Sequence, residues 1–371
     1  MVKLRVFFAY TQNMGVTWYR FINPAKYMRK VPGVEVAYSK YQPFDSEVIN
    51  WQQEIYNPIT KTENVTIREE LNKLCRCADI IVSGTFTAVQ GLAWFGASQQ
   101  VHKKPFILEI DDYIINPPEY NAAVGGYRQG GLGEYLTIKQ LKMADGIVVS
   151  TPYLKKLYSQ YNDNIEVVPN GQDFEIWDNL KKKVIENKRI RIGFAGSPNH
   201  VGDLKLIKDP LLEVLRENPL AEFHIAGPEP EFFRGHPQVV FHDKWVNILE
   251  YPQMLSDMNI DIGIAPLKDN NLNRAKSNIR WQEYACVKAP CVATNIEHFK
   301  DSIVDGKTGF LANNDQEWHD KLTDLIRNVP LRQSIGMKAY NEVKGNWNIR
   351  TIAKQYIKVL QKFKKDYRKK E

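Results

Sequence analysis

Residues 260–294 read IDIGIAPLKDNNLNRAKSNIRWQEYACVKAPCVAT, and this stretch decides the fold. It opens on a short apolar run, Ile260 to Leu267, which reads as a buried strand. A polar loop follows, Lys268 to Lys276. Ser277 then stands where an N-cap belongs, and Asn278 to Val287 is helix-compatible. Pro290 closes that run, and Cys291-Val292-Ala293-Thr294 starts another strand. The first N–H groups of such a helix lack intrahelical partners, and the helix dipole adds partial positive charge, so the helix start favours anions. Lys276 would add a full charge beside it. Glu283 lies seven residues on from Lys276, on the same side of the helix. A carboxylate there can accept from a ribose diol while the helix end holds a diphosphate, which points to a nucleotide-diphosphate site. A plain surface βαβ unit, with Ser277 only a cap and Glu283 only solvated, fits the same residues. The stretch alone does not separate the two.

Working outward, the same alternation continues on both sides. Upstream come a strand at Arg189–Gly196, a loop at Ser197–Asp203, a helix through Glu217, strands at Ala221–Ala226 and Val239–His242, and a helix at Ile248–Met258. Downstream, Ile303–Leu311 reads as a hairpin-like turn, and helices follow at 315–328, 331–344 and about 349–367. The polar segment Asp173–Lys188 reads as a linker. The first half opens with a strand over 3–10, a loop containing Gly15 and a helix near 18–30. A second strand at 34–38, an irregular polar stretch at 41–66 and a helix at 67–77 follow. Strands at 79–83, 105–110, 146–150 and 165–168 alternate with helices at 87–101, 134–143 and 152–161. The glycine-dense segment Gly125–Gly133 reads as a mobile loop over a site, and Pro169-Asn170-Gly171 as a turn. Strands never run consecutively with the helices grouped apart, so both halves are expected to be parallel α/β sheets.

Length and composition agree. A chain of 371 residues accommodates two domains of about 150–200 residues each. No run of about 18 apolar residues occurs, so no spanning helix is expected. Met1–Phe8 goes straight into a strand without the pattern of a signal peptide. The four cysteines, at 75, 77, 286 and 291, lack metal-ligand spacing, and we read them as free thiols in a cytoplasmic protein with no metal site. The net charge is +7, with much of the excess in the last turns, Lys354 to Lys370. A solvated helix end explains this, and peripheral contact with anionic lipid at the inner membrane surface, or with DNA, stays open.

Two other places carry candidate chemistry. The Gly15 loop follows the first strand, where doubly wound sheets bind ligands. The strand at 105–110 delivers Glu109, Asp111 and Asp112 to its carboxyl end. Three carboxylates so close repel unless each has a partner, so they face either a sugar hydroxyl or a catalytic proton, or form a capped turn.

Five pieces of the second half together resemble the GT-B glycosyltransferases, most closely the retaining, glycogen-synthase-like family 4 in its bacterial and phage-type branch. They are Val168-Pro169-Asn170-Gly171, Ile192–Ser197, Phe223–Gly227, Asp261–Leu267 through Glu283-Tyr284-Ala285, and Asp305–Leu311. The resemblance implies two Rossmann-like parallel-sheet domains facing across a cleft. The acceptor-side domain would be 1–172, joined by the C-terminal helix 349–371, and the donor-binding domain 173–348. It implies that Glu283, the second Glu of the E-x7-E pattern, binds the donor ribose, that N–H groups near Ser277 and Asn278 hold the diphosphate, and that Gly196 and Ser197 approach the phosphates. The chain departs from the pattern at two places. Ala275 replaces the first Glu, and the usual basic pair after the first strand of this domain is missing. Lys276, with Arg274, is expected to supply that charge. Lys288 occupies a helix end where the family usually has Gly.

The expected activity is sugar transfer from a nucleotide-diphosphate sugar to a hydroxyl of a glycan, a lipid-linked or another acceptor, with retention and without metal or other cofactor. Asp111 or Asp112 would position the acceptor or touch the sugar. A nucleotide-sugar epimerase, a DNA-modifying glycosyltransferase and a non-catalytic sugar-nucleotide-binding module are the alternatives.

Overall fold

A computed structural model of the chain describes residues 4–10, 15–40, 48–49, 72–86, 89–119, 124–181, 183, 189–242 and 246–369. The chain divides into two compact units, one of residues 1–119, 123–171 and 349–371, the other of 120–122 and 172–348.

The first unit is built on β1 (Leu4–Tyr10), whose residues are buried except Arg5. Strand β1 lies inside a sheet covered on both faces, so an uninterrupted apolar run rather than alternation is what it needs. Gly15–Thr17 (α1), a five-residue π-helical turn, Trp18–Ile22, and Asn23–Met28 (α2) follow. Then come β2 (Val34–Lys40) and β3 (Val48–Ile49). Strand β3 pairs antiparallel with β2 inside the stretch that reads as irregular, because a two-residue strand leaves no periodicity to detect. The unit continues with α3 (72–77), β4 (Ile80–Ser83), α4 (Val89–His102) and β5 (Phe106–Ile110). After these come α5 (Val124–Tyr127), α6 (Leu132–Met143), β6 (Gly146–Val149), α7 (Pro152–Tyr158) and β7 (Ile165–Val167). The strand order is β3-β2-β1-β4-β5-β6-β7.

The glycine-dense segment, expected as a mobile loop over a site, is not loop throughout. Its two ends are helical, and a Cβ at Gly133 would lie 1.9 Å from the Gly126 carbonyl oxygen. The glycines let the turn before α6 pack on itself.

The final helix, Ile349–Arg368, belongs to this unit. Its buried Ile352, Ala353, Tyr356, Ile357, Leu360 and Phe363 recur at helical spacing and join the core of β1 and β2. A Cβ at Gly146 would meet the Phe363 ring at 2.6 Å, so the helix sits directly on β6. Its apolar face is therefore occupied. Among the basic residues left at the surface, Lys362 pairs with Glu166 at 2.6 Å. Among the described residues no helix is long and apolar enough to cross a membrane.

The second unit begins with α8 (Phe174–Trp177), within the segment that reads as a linker. Asp173 caps it by accepting from the Glu175 N–H at 3.0 Å, and Phe174 and Trp177 enter the core. Next come β8 (Ile190–Ala195), α9 (Val201–Leu204), α10 (Lys208–Glu217), β9 (Ala221–Ala226) and β10 (Val239–His242). Then α11 (Tyr251–Asp257), β11 (Ile262–Ala265), α12 (Asn271–Ala275), α13 (Ile279–Cys286) and β12 (Cys291–Thr294) follow. The unit closes with α14 (Glu297–Lys300), β13 (Phe310–Ala312), α15 (Asp315–Arg327) and α16 (Val329–Asn346). The segment 303–311 is not a hairpin. Asp305 bridges Gly309, and the chain then runs as β13 parallel to β12.

The order β10-β9-β8-β11-β12-β13 makes this sheet parallel with a single reversal of strand order, between β8 and β11. In parallel α/β sheets the crevice for a ligand forms at the carboxyl ends of the strands flanking such a reversal. That is where β8 delivers Gly196-Ser197 and β11 delivers Pro266–Ser277.

Candidate functional site

Tyr284 holds the reversal point open. The ladder between β8 and β11 runs only through Ile192–Ile262 and Gly193–Gly263. Beyond it the Tyr284 hydroxyl donates to the Ile264 carbonyl at 3.1 Å and accepts the Ala195 N–H at 3.3 Å. A Cβ at Gly263 would lie 2.3 Å from the Tyr284 ring, so only glycine lets α13 seat against β11. Trp281, fully buried, fixes the same helix by donating from Nε1 to the Thr308 carbonyl at 2.8 Å.

The loop before α13 differs from expectation in two ways. Residues Asn271–Ala275 are helical, capped by Asn270, whose side chain accepts the Asn273 N–H at 3.0 Å. Ser277 is not the cap of α13. Asn278 takes that position without a capping bond; its Nδ2 donates to Ser302 Oγ at 2.8 Å and its Oδ1 accepts from Gln282 Nε2 at 2.7 Å. A buried amide serves both partners here, which leaves Ser277 one place outside.

Arg274 has partners that its sequence position did not reveal. Its guanidinium is engaged by Asp269, with Nη2 to Oδ2 at 2.7 Å, and by Glu297 at 3.3 Å. Arg274 is thus paired with two carboxylates on the protein itself. Arg280 is a second basic residue close by that the sequence reading did not single out. Its guanidinium stacks over the Phe194 ring, 4.6 Å from the centroid, and a Cβ at Gly196 would approach its Nη2 to 2.9 Å. Arg280 thus lies in the first turn of α13 and against the Gly196-Ser197 loop. The clue in the sequence is Phe194 two residues before that loop, an aromatic face at the strand's end.

Two further residues escaped the motif search, although their spacing was readable. His200 and Asp203 are three apart across a helical turn, and His200 Nδ1 lies 2.9 Å from Asp203 Oδ2. Asp203 also accepts the Lys268 N–H and Asn273 Nδ2, each at 3.0 Å. Burial opposes ionisation of Asp203, and the His200 and Lys268 hydrogen bonds together with Lys276 overcome it, holding the carboxyl below its ordinary range. Burial, then Arg280 and Lys276, push His200 down to about 3. The site therefore holds an ionised aspartate, a neutral histidine and two cations.

Glu283 is 7% exposed, and its Oε2 accepts the Tyr251 hydroxyl at 2.9 Å. Burial, then Glu283, push Tyr251 well above its ordinary range, with Arg280 acting in the opposite sense. Tyr251 thus stays a donor and keeps the carboxylate in one orientation. Ala275 is fully buried in α12 and offers no polar group. Lys288, at φ +63°, adopts the left-handed conformation that favours glycine, at a cost of about 1 kcal/mol.

In the first unit, Gly15 opens α1. Asp111 and Asp112 follow β5 directly, as read from the sequence. Burial, then Asp112, push Asp111 up to about 8, and Arg20 draws it back down. Glu109 does not join them. It is 3% exposed, accepts from Arg20 Nε at 2.7 Å and from the Tyr356 hydroxyl, and so ties the π-helical turn and the final helix to β5. Arg20 Nη1 donates in turn to Asn170 Oδ1 at 2.8 Å. The partner that a buried carboxylate requires is internal, not a ligand.

Residues 208–358 match the model of a family described as glycosyl transferase-like. HepE of Anabaena, solved in complex with UDP and glucose, aligns with a TM-score of 0.66 at 13% identity, over 97% of this chain and 100% of HepE. The chain has the GT-B fold, and residues 208–358 resemble that glycosyltransferase family. A glycosyltransferase from Rickettsia africae aligns with it at a TM-score of 0.65 and 15% identity, over 97% of this chain and 98% of the other. A TarM variant from S. aureus, in complex with fondaparinux, alpha-GlcNAc-glycerol and UDP, aligns at 0.56 and 16% identity over 76% of this chain. This chain spans about half of TarM's length, 55%. No curated protein matches this chain in sequence.

A cavity of about 380 Å³ opens elsewhere in the second unit, lined by Trp177, Ile260, Asp261, Lys288 and Tyr340 among others. It lies toward the amino ends of β11 and β12, and Gly196, Arg280 and Glu283 are not among the residues that line it.

Proposed function

We propose that this protein is a glycosyltransferase that moves a sugar from a nucleotide-diphosphate sugar to an acceptor hydroxyl, with retention of anomeric configuration and without a metal. The observation that carries the reading is the arrangement on α13. Lys276 precedes the helix, Arg280 sits in its first turn against Gly196, and the Glu283 carboxylate is fixed by Tyr251 one turn further on. The diphosphate would take the first-turn N–H groups beside Asn278, with Lys276 and Arg280 on its oxygens and the Gly196-Ser197 loop opposite. Ser277 would touch it through its backbone. Glu283 would accept from the ribose hydroxyls. In this reading the second unit binds the donor and the first the acceptor.

Breaking the anomeric C–O bond sends its electron pair to the diphosphate, so negative charge grows where the cations stand. The acceptor oxygen forms its bond to the anomeric carbon on the face the leaving group departs from, and its proton passes to a leaving phosphate oxygen. Two fixed cations and a helix start supply the charge that a metal would otherwise bring. Asp111 and Asp112 would orient the acceptor, a glycan, lipid-linked or other hydroxyl. Asp111, protonated near neutrality, can donate as well as accept.

The test is a thermal-shift screen of UDP-, GDP-, ADP- and dTDP-sugars, followed by turnover of the stabilising donor with EDTA present. Stabilisation by one donor class and EDTA-resistant turnover support the reading. No stabilisation by any of them contradicts it.

A further inference from the structure

His200 is fixed as a functional histidine is, not as a surface residue is. It lies in the turn that follows Gly196-Ser197, and its own N–H donates to the Ser197 carbonyl at 3.1 Å. Its ring meets the Phe194 ring edge-on at 6.3 Å between centroids, while Arg280 stacks on that same ring. Asp203 is fully buried and ionised, and its other acceptor sites serve Lys268 and Asn273. An ionised carboxylate at Nδ1 requires a proton on that nitrogen, so Nε2 is the nitrogen that gains the next one. The charged groups facing the ring are Asp203 from α9, Arg280 from α13 and Lys276 from the segment before it.

We propose that His200, oriented by Asp203, is a diphosphate ligand of this site that binds as the imidazolium, so that donor binding takes up a proton. The proposal rests on the nucleotide-sugar reading above. In the empty site burial, then Arg280 and Lys276, oppose a further positive charge, and His200 stays neutral. A diphosphate seated among the three groups reverses that field. Its two negative charges screen the cations and attract a proton to Nε2, and the resulting N–H donates to a phosphate oxygen. The proton comes from solvent, and the new hydrogen bond adds a third cationic donor to the leaving group.

Isothermal titration calorimetry tests this on the full chain at pH 6.5, with UDP-, GDP-, ADP- and dTDP-glucose in two buffers of different ionisation enthalpy. Nucleotide sugars have no phosphate group that titrates near neutrality, so buffer-dependent heat reports protein protonation. The expected result is net uptake approaching one proton per bound donor. His200→Asn should abolish the uptake and weaken binding about tenfold at pH 6.5, with a smaller difference at pH 9. His200→Arg, a permanent cation, should retain affinity without uptake. Donor binding to the wild-type chain with no uptake overturns this role for His200 and leaves the donor reading standing. Failure of all four donors to bind overturns both.

Discussion

The Tyr251 hydroxyl donates to Glu283 Oε2 over 2.9 Å and holds a carboxylate that is almost wholly removed from water. That bond fixes the orientation of the carboxylate. If Glu283 receives the ribose hydroxyls, Glu283→Ala should raise the donor dissociation constant about 10- to 100-fold. Tyr251→Phe, which loosens the carboxylate without removing it, should cost about 3- to 10-fold. Calorimetry with the accepted nucleotide sugar measures both.

Lys276 and Arg280 are assigned to the charge that develops on the leaving group. Lys276→Ala and Arg280→Ala should therefore lower kcat by about 100-fold each, more than they raise KM. Arg274→Ala should change kcat by less than about 3-fold, because Asp269 and Glu297 already neutralise that guanidinium. Steady-state kinetics of the three variants separates the assignments.

Gly263 is a packing requirement rather than a flexible point. A methyl group there meets the Tyr284 ring at 2.3 Å, in a core with no room to yield. Gly263→Ala should destabilise the protein by about 1–3 kcal/mol, read as a melting temperature several degrees lower. Gly336→Ala, whose methyl would lie 2.1 Å from the Lys288 carbonyl oxygen, should behave alike.

Asp111 gives stability a pH dependence of defined sign. Its carboxyl titrates at about 8 in the fold and near 3.8 when exposed, so the folded chain binds more protons between those values. Stability then falls as pH rises through that window and levels off above it. In thermal melts, wild type should lose ground to Asp111→Asn from about pH 4 to pH 8, and the gap should be constant beyond.

The strand alternation, the α/β class and the βαβ unit at 260–294 were legible because an apolar run between turn residues is a local signal. Glu283 was singled out by its spacing to Lys276, but its partner Tyr251, 32 residues away, was not. The other partners that decide what each charge does were not legible either. Arg274 lies two residues before Lys276, and nothing local distinguishes it from Arg280; only the fold sets Asp269 and Glu297 beside one and Phe194 beneath the other. Glu109 shares a short run with Asp111 and Asp112, yet its partners, Arg20 and Tyr356, lie 89 and 247 residues away. Ser277 ranks as well as Asn278 in cap preference, and the choice was made by Ser302 and Gln282. The π-helical turn that presents Arg20 has no sequence signature at all.

The most direct test is a crystal structure of the protein with the nucleoside diphosphate of its preferred donor. The account predicts the diphosphate at the first turn of α13, within reach of Lys276, Arg280 and His200, with the ribose hydroxyls on Glu283. A nucleotide bound at the cavity lined by Trp177 and Tyr340, or with its ribose away from Glu283, would contradict it.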